Sequence, residues 1–205
     1  MTTPTSITSG TIARNIEELR QRVSGQVILP GDDEYQQARQ TASFTYNRYP
    51  SIILRAASED DVAEGVRFAR ARGIPLSVRC GGHSIPGYGV MDGVLVIDLT
   101  PMRGVVIDPE TRMAKVQGGA RSVDLALPAH EYGLALSTGD TGTVGLGGLV
   151  TGGGVGWFVR KYGIAADRLR SARVVLATGE IVTASPTENP DLFWAVRGGG
   201  GNFGI

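Results

Sequence analysis

Apolar residues recur at helical spacing in the first part of the chain, and short uninterrupted apolar runs follow. Residues 11–25 have one apolar face and end at a glycine, which predicts an amphipathic helix. That face consists of Ile12, Ile16, Leu19 and Val23. The stretch 30–50 is polar and aromatic without a regular period, and we interpret it as a connection.

Between residues 51 and 99 the pattern predicts three strands and one helix. Buried strands are predicted at 51–56, 75–79 and 94–99. Residues 58–73 predict a helix, because a serine can cap its start, acidic residues fill its first turn and a glycine closes it. A helix of this length between two strands predicts a right-handed parallel unit.

After residue 100 the pattern changes to hairpins, short helices and glycine-rich loops. Residues 104–117 and 171–185 predict two hairpins. Helices are predicted at 121–133, 157–163 and 188–199. Pro128 is expected to kink or end the regular part of the first of them. The last residues, 200–205, have the pattern of an approach to a further strand.

The composition is that of a globular protein with much glycine. The chain has 205 residues, of which 30 are glycine and one is cysteine, and its formal net charge is zero. Zero net charge gives no reason to expect nucleic acid as a partner, so a bound phosphate would rely on backbone amides. A single cysteine excludes an internal disulfide and a multi-cysteine metal cage. Without an apolar run of membrane-spanning length or a signal-peptide pattern, we expect a cytoplasmic protein that makes no use of a membrane.

Two glycine-rich stretches, a first loop (79–89) and a second loop (139–156), are candidates for a nucleotide cradle. The first loop follows a predicted parallel strand, at the end where open α/β sheets bind ligands. Glycine lets backbone amides approach a ligand closely. The alternative is that both are tight turns packed against each other. A P-loop is absent, and the one G-x-G-x-x-G match, starting at Gly199, lacks the helix of a dinucleotide-binding unit.

Two side chains of the first loop carry reactive groups. His83 has no second ligand at metal-binding spacing, so a catalytic base, a covalent attachment point and an ordinary loop histidine remain open. Cys80 is either a reactive thiol beside Arg79 and His83 or a small buried residue, and the buried residue is the commoner case. The other histidine, His130, is expected on the surface or at a helix end.

The order and spacing of five motifs resemble those of one family. The motifs are RCGGHS, VIDL, GTVGLGGLVTGGGVGW, RKYG and NPDLFWAVRGGGGNFG. Together they resemble the FAD-binding (PCMH-type) domain of the vanillyl-alcohol oxidase superfamily, and within it the berberine bridge enzyme-like oxidases, which include the 6-hydroxynicotine oxidase type. The resemblance implies an α+β fold. It also implies an N-terminal arm and helix (1–45) and an FAD-binding domain (46–205), divided into a small βαβ subdomain (46–102) and a larger subdomain with a mixed or antiparallel sheet (103–205).

The resemblance also implies how FAD is held. The first loop matches the loop that holds the pyrophosphate, and His83 matches the histidine bonded to the 8α-methyl of the flavin. Thr141 stands where some relatives have a cysteine that makes a second link, so a single histidyl link is implied. The FAD-binding residues implied in this way are Arg79, Cys80, Gly81, Gly82, His83, Ser84, Gly87, Gly139, Asp140, Thr141, Val144, Gly145, Gly148, Gly154, Gly156, Ile181 and Val182. Neither a catalytic residue nor a metal ligand is assigned.

The function implied by the resemblance is oxidation of a small molecule. Members of the family transfer a hydride from a CH–OH or CH–N substrate to the flavin, with oxygen as the reoxidant. They continue beyond the GGGGNFG motif into a substrate-binding domain that supplies the pocket and the catalytic base. The chain is therefore expected to be an FAD module that ends before that domain. The alternatives are a non-catalytic fragment, half of a split protein that needs a partner chain, or a truncated product that does not bind FAD stably.

Overall fold

The computed structural model describes residues 9–42 and 45–205, which combine helices with small sheets. The helices are α1 (Ser9–Arg22), α2 (Tyr35–Ala38), α3 (Glu59–Arg72), α4 (Ser122–Glu131), α5 (Leu146–Thr151), α6 (Val159–Tyr162), α7 (Ala165–Arg168) and α8 (Pro190–Ala195). The strands are β1 (Gln26–Ile28), β2 (Ile52–Arg55), β3 (Leu76–Arg79), β4 (Leu95–Asp98), β5 (Val105–Asp108), β6 (Met113–Val116), β7 (Ala172–Val175) and β8 (Ile181–Ala184). The predicted N-terminal arm lies mostly outside the described residues.

A four-stranded sheet of order β1-β2-β4-β3 forms the first half of the chain. β2 and β3 both run parallel to β4, with Leu54 and Val78 each opposite Ile97, and β1 is antiparallel to β2. The predicted parallel arrangement of β2 and β3 is confirmed, although β4 lies between them. We did not predict β1, because three residues are too few to show a period.

The central strands are buried on both faces, as expected for parallel strands. Leu54 of β2 belongs to a core cluster with side chains of α1 and α3, whereas the next residue back, Ile53, belongs to a second cluster that includes Tyr35 of α2. β4 alternates in the same way, since Ile97 faces the first cluster and Val96 the second. The helices and the sheet therefore share two continuous apolar layers.

The helix α3 has the end signals that its sequence predicts. The Ser58 hydroxyl accepts a hydrogen bond from the Asp61 amide at 3.2 Å, and Gly73 ends the helix with a left-handed φ of 62°. The predicted helix α1 is also confirmed, with Ile16 and Leu19 buried in the core. Both ends of α3 are thus fixed, which sets where β3 begins.

The second half of the chain contributes two antiparallel hairpins, β5–β6 and β7–β8, as predicted. Pro128 does not end α4, which continues to Glu131. A proline beyond the first turn removes a single helical hydrogen bond, and α4 accommodates this loss. At the end of the chain, Ile205 exchanges two backbone hydrogen bonds with Val175 of β7, at 2.7 and 3.0 Å. In the described parts of the chain, no helix is both long and apolar enough to span a membrane.

Candidate functional site

The first and second loops meet with their backbones in close contact. A Cβ on Gly81 would lie 2.3 Å from the Gly145 amide nitrogen, and a Cβ on Gly145 would lie 2.2 Å from the Gly81 amide nitrogen. Both distances are far below van der Waals contact, so only glycine fits at either position. The structure thus brings together the two glycine-rich segments that the sequence suggested separately.

The N-terminal end of α4 holds the second loop in place. The amides of Val123 and Ser122 donate to the carbonyls of Gly142 and Val144, each at 2.9 Å. The Leu146 amide, at the start of α5, donates to the backbone just before α4 at 2.7 Å. The turn on either side of residue 143 is therefore fixed by hydrogen bonds from another element.

His83 lies where the two loops meet. Its Nε2 is 2.9 Å from the hydroxyl oxygen of Thr143, which belongs to the second loop. The imidazole is half-buried, whereas Thr143 is exposed. Within residues 9–42 and 45–205, no cluster of histidine, cysteine, aspartate or glutamate side chains has the make-up of a metal site. The described contact of this ring is thus a hydrogen bond to a neutral side chain.

The remainder of the first loop is a tight turn. The Gly87 amide donates to the Ser84 carbonyl at 2.9 Å, and the Tyr88 amide donates to the Ser84 hydroxyl at 3.1 Å. Gly82 accepts a hydrogen bond from the Ala42 amide at 3.1 Å. The loop is thus held at its start and in its middle, and its large side chains beyond Ser84 are exposed.

Arg79, at the end of β3, is engaged within the protein. Its guanidinium donates to the buried carboxylate of Asp98 at 2.7 and 3.2 Å. It also donates to the carbonyls of Ala38 and Gln40. Because these partners occupy the guanidinium, Arg79 anchors the start of the first loop to β4 and to the segment after α2.

Cys80 lies half-buried between the two loops. Burial raises the pKa of its thiol to about 11, so the thiol is protonated at neutral pH. A Cβ built on Gly147 would lie 3.0 Å from the Cys80 sulfur, which shows that the thiol fills the space beneath the second loop. Of the two interpretations of Cys80, the small buried residue fits the structure better than the reactive nucleophile.

The second loop has an open stretch of backbone at the start of α5. A Cβ on Gly148 would meet no heavy atom within 4 Å, and the residue is exposed. At the other end of the loop, Asp140 accepts a hydrogen bond from the Thr141 hydroxyl at 3.1 Å. Gly139 and Gly156 lie against each other, since a Cβ on Gly156 would be 2.7 Å from the Gly139 carbonyl oxygen. Gly154 packs against Leu149.

Ile181 and Val182 lie on β8, paired with β7. Ile181 packs against the core cluster to which Cys80 also packs, and Val182 packs against a smaller cluster that includes Phe193 of α8. The described contacts of these two side chains are with the cores. Any cofactor contact from β8 would therefore come from its backbone.

The sequence did not single out Thr143. It lies in the second loop but 60 residues from His83, and no local pattern reports a pair at that separation. A polar side chain next to Gly142 in a ligand loop was the available signal, since a loop built only for backbone contacts needs no hydroxyl there.

Comparison with known proteins connects this geometry to flavoproteins. Residues 50–185 match a family model described as FAD binding domain. The chain is 42% identical over 183 residues to (R)-6-hydroxynicotine oxidase of Paenarthrobacter nicotinovorans, in an alignment that covers 89% of this chain and 40% of that protein.

Two solved structures are similar in fold. Xylooligosaccharide oxidase from Myceliophthora thermophila C1, in complex with xylobiose, superposes with a TM-score of 0.87 at 38% identity, over 93% of this chain and 41% of that one. Glucooligosaccharide oxidase from Acremonium strictum, described with a 6-S-cysteinyl, 8α-N1-histidyl FAD, gives a TM-score of 0.87 at 36% identity, over 93% of this chain and 40% of that one. The chain spans about 40% of the length of these relatives.

Proposed function

The chain belongs to the FAD-binding domain family, whose model spans most of its length, and from this premise we propose that it holds FAD through one covalent bond to His83. The resemblance drawn from the motifs and the α+β fold class are both confirmed by the family match and the similar structures. The covalent bond goes further than family membership, and the arrangement of this chain's own residues supports it.

The placement of His83 is the observation that carries the proposal. The half-buried imidazole lies where the two glycine loops meet, and its Nε2 is fixed by Thr143 at 2.9 Å. Covalent attachment needs a neutral imidazole held close to one carbon of the flavin, and a fixed ring supplies that proximity. The histidyl FAD described for glucooligosaccharide oxidase is consistent with this role.

The two loops fit a ligand with a phosphate group and a flat ring. The close contact of Gly81 with Gly145 brings two runs of backbone amides together, and the open backbone at Gly148 leaves room for a ring or ribityl chain. We propose as FAD-binding residues Arg79, Cys80, Gly81, Gly82, His83, Ser84, Gly87, Gly139, Asp140, Thr141, Val144, Gly145, Gly148, Gly154, Gly156, Ile181 and Val182. Of these, Arg79 and Cys80 act by positioning the first loop.

We expect a single covalent bond between the chain and the flavin, formed by His83. In the attachment, one C–N bond replaces an 8α C–H bond and an imidazole N–H bond, and the two electrons and two protons released pass to dioxygen, which gives hydrogen peroxide. Thr141 offers no thiol for a second link, and the pKa of Cys80 is raised by burial. A single histidyl bond therefore accounts for all covalent attachment.

We propose that the whole protein is an oxidase. Bound FAD supplies the redox chemistry, because its oxidised ring accepts a hydride from a carbon that bears oxygen or nitrogen. The relatives that support this are named as oxidases of 6-hydroxynicotine and of xylooligosaccharides. We assign no residue of this chain to substrate binding or to the base that deprotonates the substrate.

Acid precipitation of the purified chain tests the covalent bond. The protein should be yellow, and the colour should stay with the precipitate. His83→Ala should release all flavin into the supernatant, whereas His130→Ala, which changes the other histidine on the exposed end of α4, should leave the flavin bound. Flavin that leaves the unchanged protein in acid would refute the histidyl link.

A further inference from the structure

We infer that Thr143 is a positioning residue that holds His83 in the one neutral form able to bond to the flavin through Nδ1. The inference rests on the proposed attachment and goes beyond it, because it names the residue that orients the ring and leaves Nδ1 to attack. The contact between the His83 ring and the Thr143 hydroxyl carries the inference.

The backbone that carries the Thr143 hydroxyl is fixed by its neighbours. Gly142 and Val144, on either side, accept hydrogen bonds from the start of α4, each at 2.9 Å. The Thr143 carbonyl oxygen also lies 2.8 Å from where a Cβ on Gly81 would be, so its backbone packs against the first loop. A hydroxyl carried on backbone that is held from both sides is suited to orient a ring.

The contact engages Nε2 of the ring. A hydroxyl can donate or accept, and we infer that Thr143 accepts here. A neutral imidazole carries one N–H and one lone pair, and only the lone pair can form a bond to carbon. Because Thr143 contacts Nε2, attack by that nitrogen would require the contact to break. When Nε2–H donates to the Thr143 oxygen, Nδ1 keeps its lone pair and is the nucleophile.

The same contact favours the product of the attack. When Nδ1 bonds to the 8α carbon, the ring is positively charged until the Nε2 proton leaves. A hydroxyl oxygen that accepts from Nε2–H stabilises this cation, since hydrogen bonds to charged groups are stronger than neutral ones. The Thr143 hydroxyl oxygen therefore orients the ring before the bond forms and stabilises the positive charge of the ring afterwards.

The tautomer of His83 gives a readout that is independent of activity. In the full chain labelled with ¹⁵N-histidine and prepared without FAD, long-range ¹H–¹⁵N spectra above the usual imidazole pKa give two histidine signals to assign, His83 and His130. We expect the Nε2–H form for His83, retained in Thr143→Ser and lost to a mixture in Thr143→Val. The exposed His130 is the internal reference and should not change.

The rate of covalent attachment gives the second readout. Thr143→Val should slow attachment by about tenfold or more, the effect expected from loss of a hydrogen bond to a charged group. Thr143→Ser should restore the rate, and non-covalent FAD affinity should remain within about threefold, since neither change alters the glycine cradle. Thr178→Val, the same change at an exposed site on the β7–β8 turn, should attach flavin like the unchanged chain.

The outcomes separate the two claims. Covalent flavin in the unchanged chain together with an unaltered rate and tautomer in Thr143→Val would overturn the role of Thr143 and leave the attachment standing. Flavin bound without a covalent link in the unchanged chain would overturn the proposed attachment. A flavin linked through Nε2, identified by NMR of the isolated flavin peptide, would overturn the assignment of Nδ1.

Discussion

Single glycines set the distance between the two loops and the space left for a ligand. Gly81 and Gly145 are at positions where any Cβ would strike backbone atoms, whereas Gly148 faces open space. These two situations have opposite consequences for substitution. A new methyl group between the loops must push them apart, while one at Gly148 disturbs only what binds there.

Two alanine substitutions distinguish these roles. Gly81→Ala should lower the free energy of unfolding by about 1–3 kcal/mol, the usual cost of overpacking, and should reduce FAD binding. Gly148→Ala should leave the stability of the FAD-free chain equal or slightly higher, because alanine favours the helix α5, yet weaken FAD binding. Urea unfolding and flavin titration of both variants measure these effects. Equal FAD affinity in Gly148→Ala and the unchanged chain would remove Gly148 from the site.

At the scale of elements, the loops are held by the strands and the helix that precede them. The first loop begins where Arg79 and Asp98 pair at the ends of β3 and β4, with Asp98 fully buried. Arg55 of β2 is 3.5 Å from the same carboxylate. This buried cluster ties three strand ends together just before the loop begins.

Removing one partner of this pair should be costly. Arg79→Met leaves the buried Asp98 carboxylate with the longer contact to Arg55 and the Thr100 amide as its described partners, so we expect the free energy of unfolding to fall by about 3 kcal/mol. The double variant Arg79→Met/Asp98→Leu should recover part of this loss, because no buried charge remains. Urea unfolding provides the measurement.

The exposed pair of Arg173 and Glu59 is the matched control, at 55% and 44% side-chain exposure. Arg173→Met should change stability little, since water screens the pair. A loss in Arg79→Met no larger than that in Arg173→Met would contradict the anchoring role.

The helix α4 anchors the second loop, and Asp124 caps its start. The Asp124 carboxylate accepts from the Arg121 amide at 2.8 Å and from the Arg103 guanidinium, and the bond from Arg103 lowers the pKa of Asp124 to about 2. Since this lies below the unfolded value of ~3.9, the ionised carboxylate stabilises the fold above about pH 4. The contribution is lost as the pH falls toward 2.

Asp124→Asn should therefore destabilise the chain at neutral pH and not at low pH. We expect a loss of about 1 kcal/mol at pH 7, limited by water screening because the Arg103 side chain is 42% exposed. The difference from the unchanged chain should shrink between pH 4 and pH 2 in urea unfolding. A difference that is constant across this range would show that Asp124 acts without its charge.

The sequence predicts the elements better than the contacts between them. α3 has a helical period and end signals, the strands β2, β3 and β4 lie in short apolar runs, and all four are found where predicted. α2 and α7 are about one helical turn each, too short to show a helical period, and β1 has three residues. The pairing of His83 with Thr143 and the engagement of Arg79 with Asp98 depend on side chains far apart in sequence. Motif order identified the loops, and only the fold shows which side chains meet there.

At the scale of the whole molecule, the chain spans about 40% of the length of its relatives. It contains the two glycine-rich loops that we propose hold FAD and the histidine that we propose bonds to it. That the whole protein is a non-catalytic or split flavin-binding protein stays a prediction. Sugars or amines should bleach the bound flavin of an oxidase and should leave that of a non-catalytic protein unchanged.

The location of the flavin on the chain tests the central claim most directly. Tryptic cleavage after arginine releases residues 80–103 as one peptide, which carries both His83 and Cys80. Mass spectrometry of the purified chain should find this peptide heavier by one FAD less two hydrogens, with fragment ions that place the addition on His83. An unmodified 80–103 peptide, or a flavin on Cys80 or on another peptide, would contradict the account.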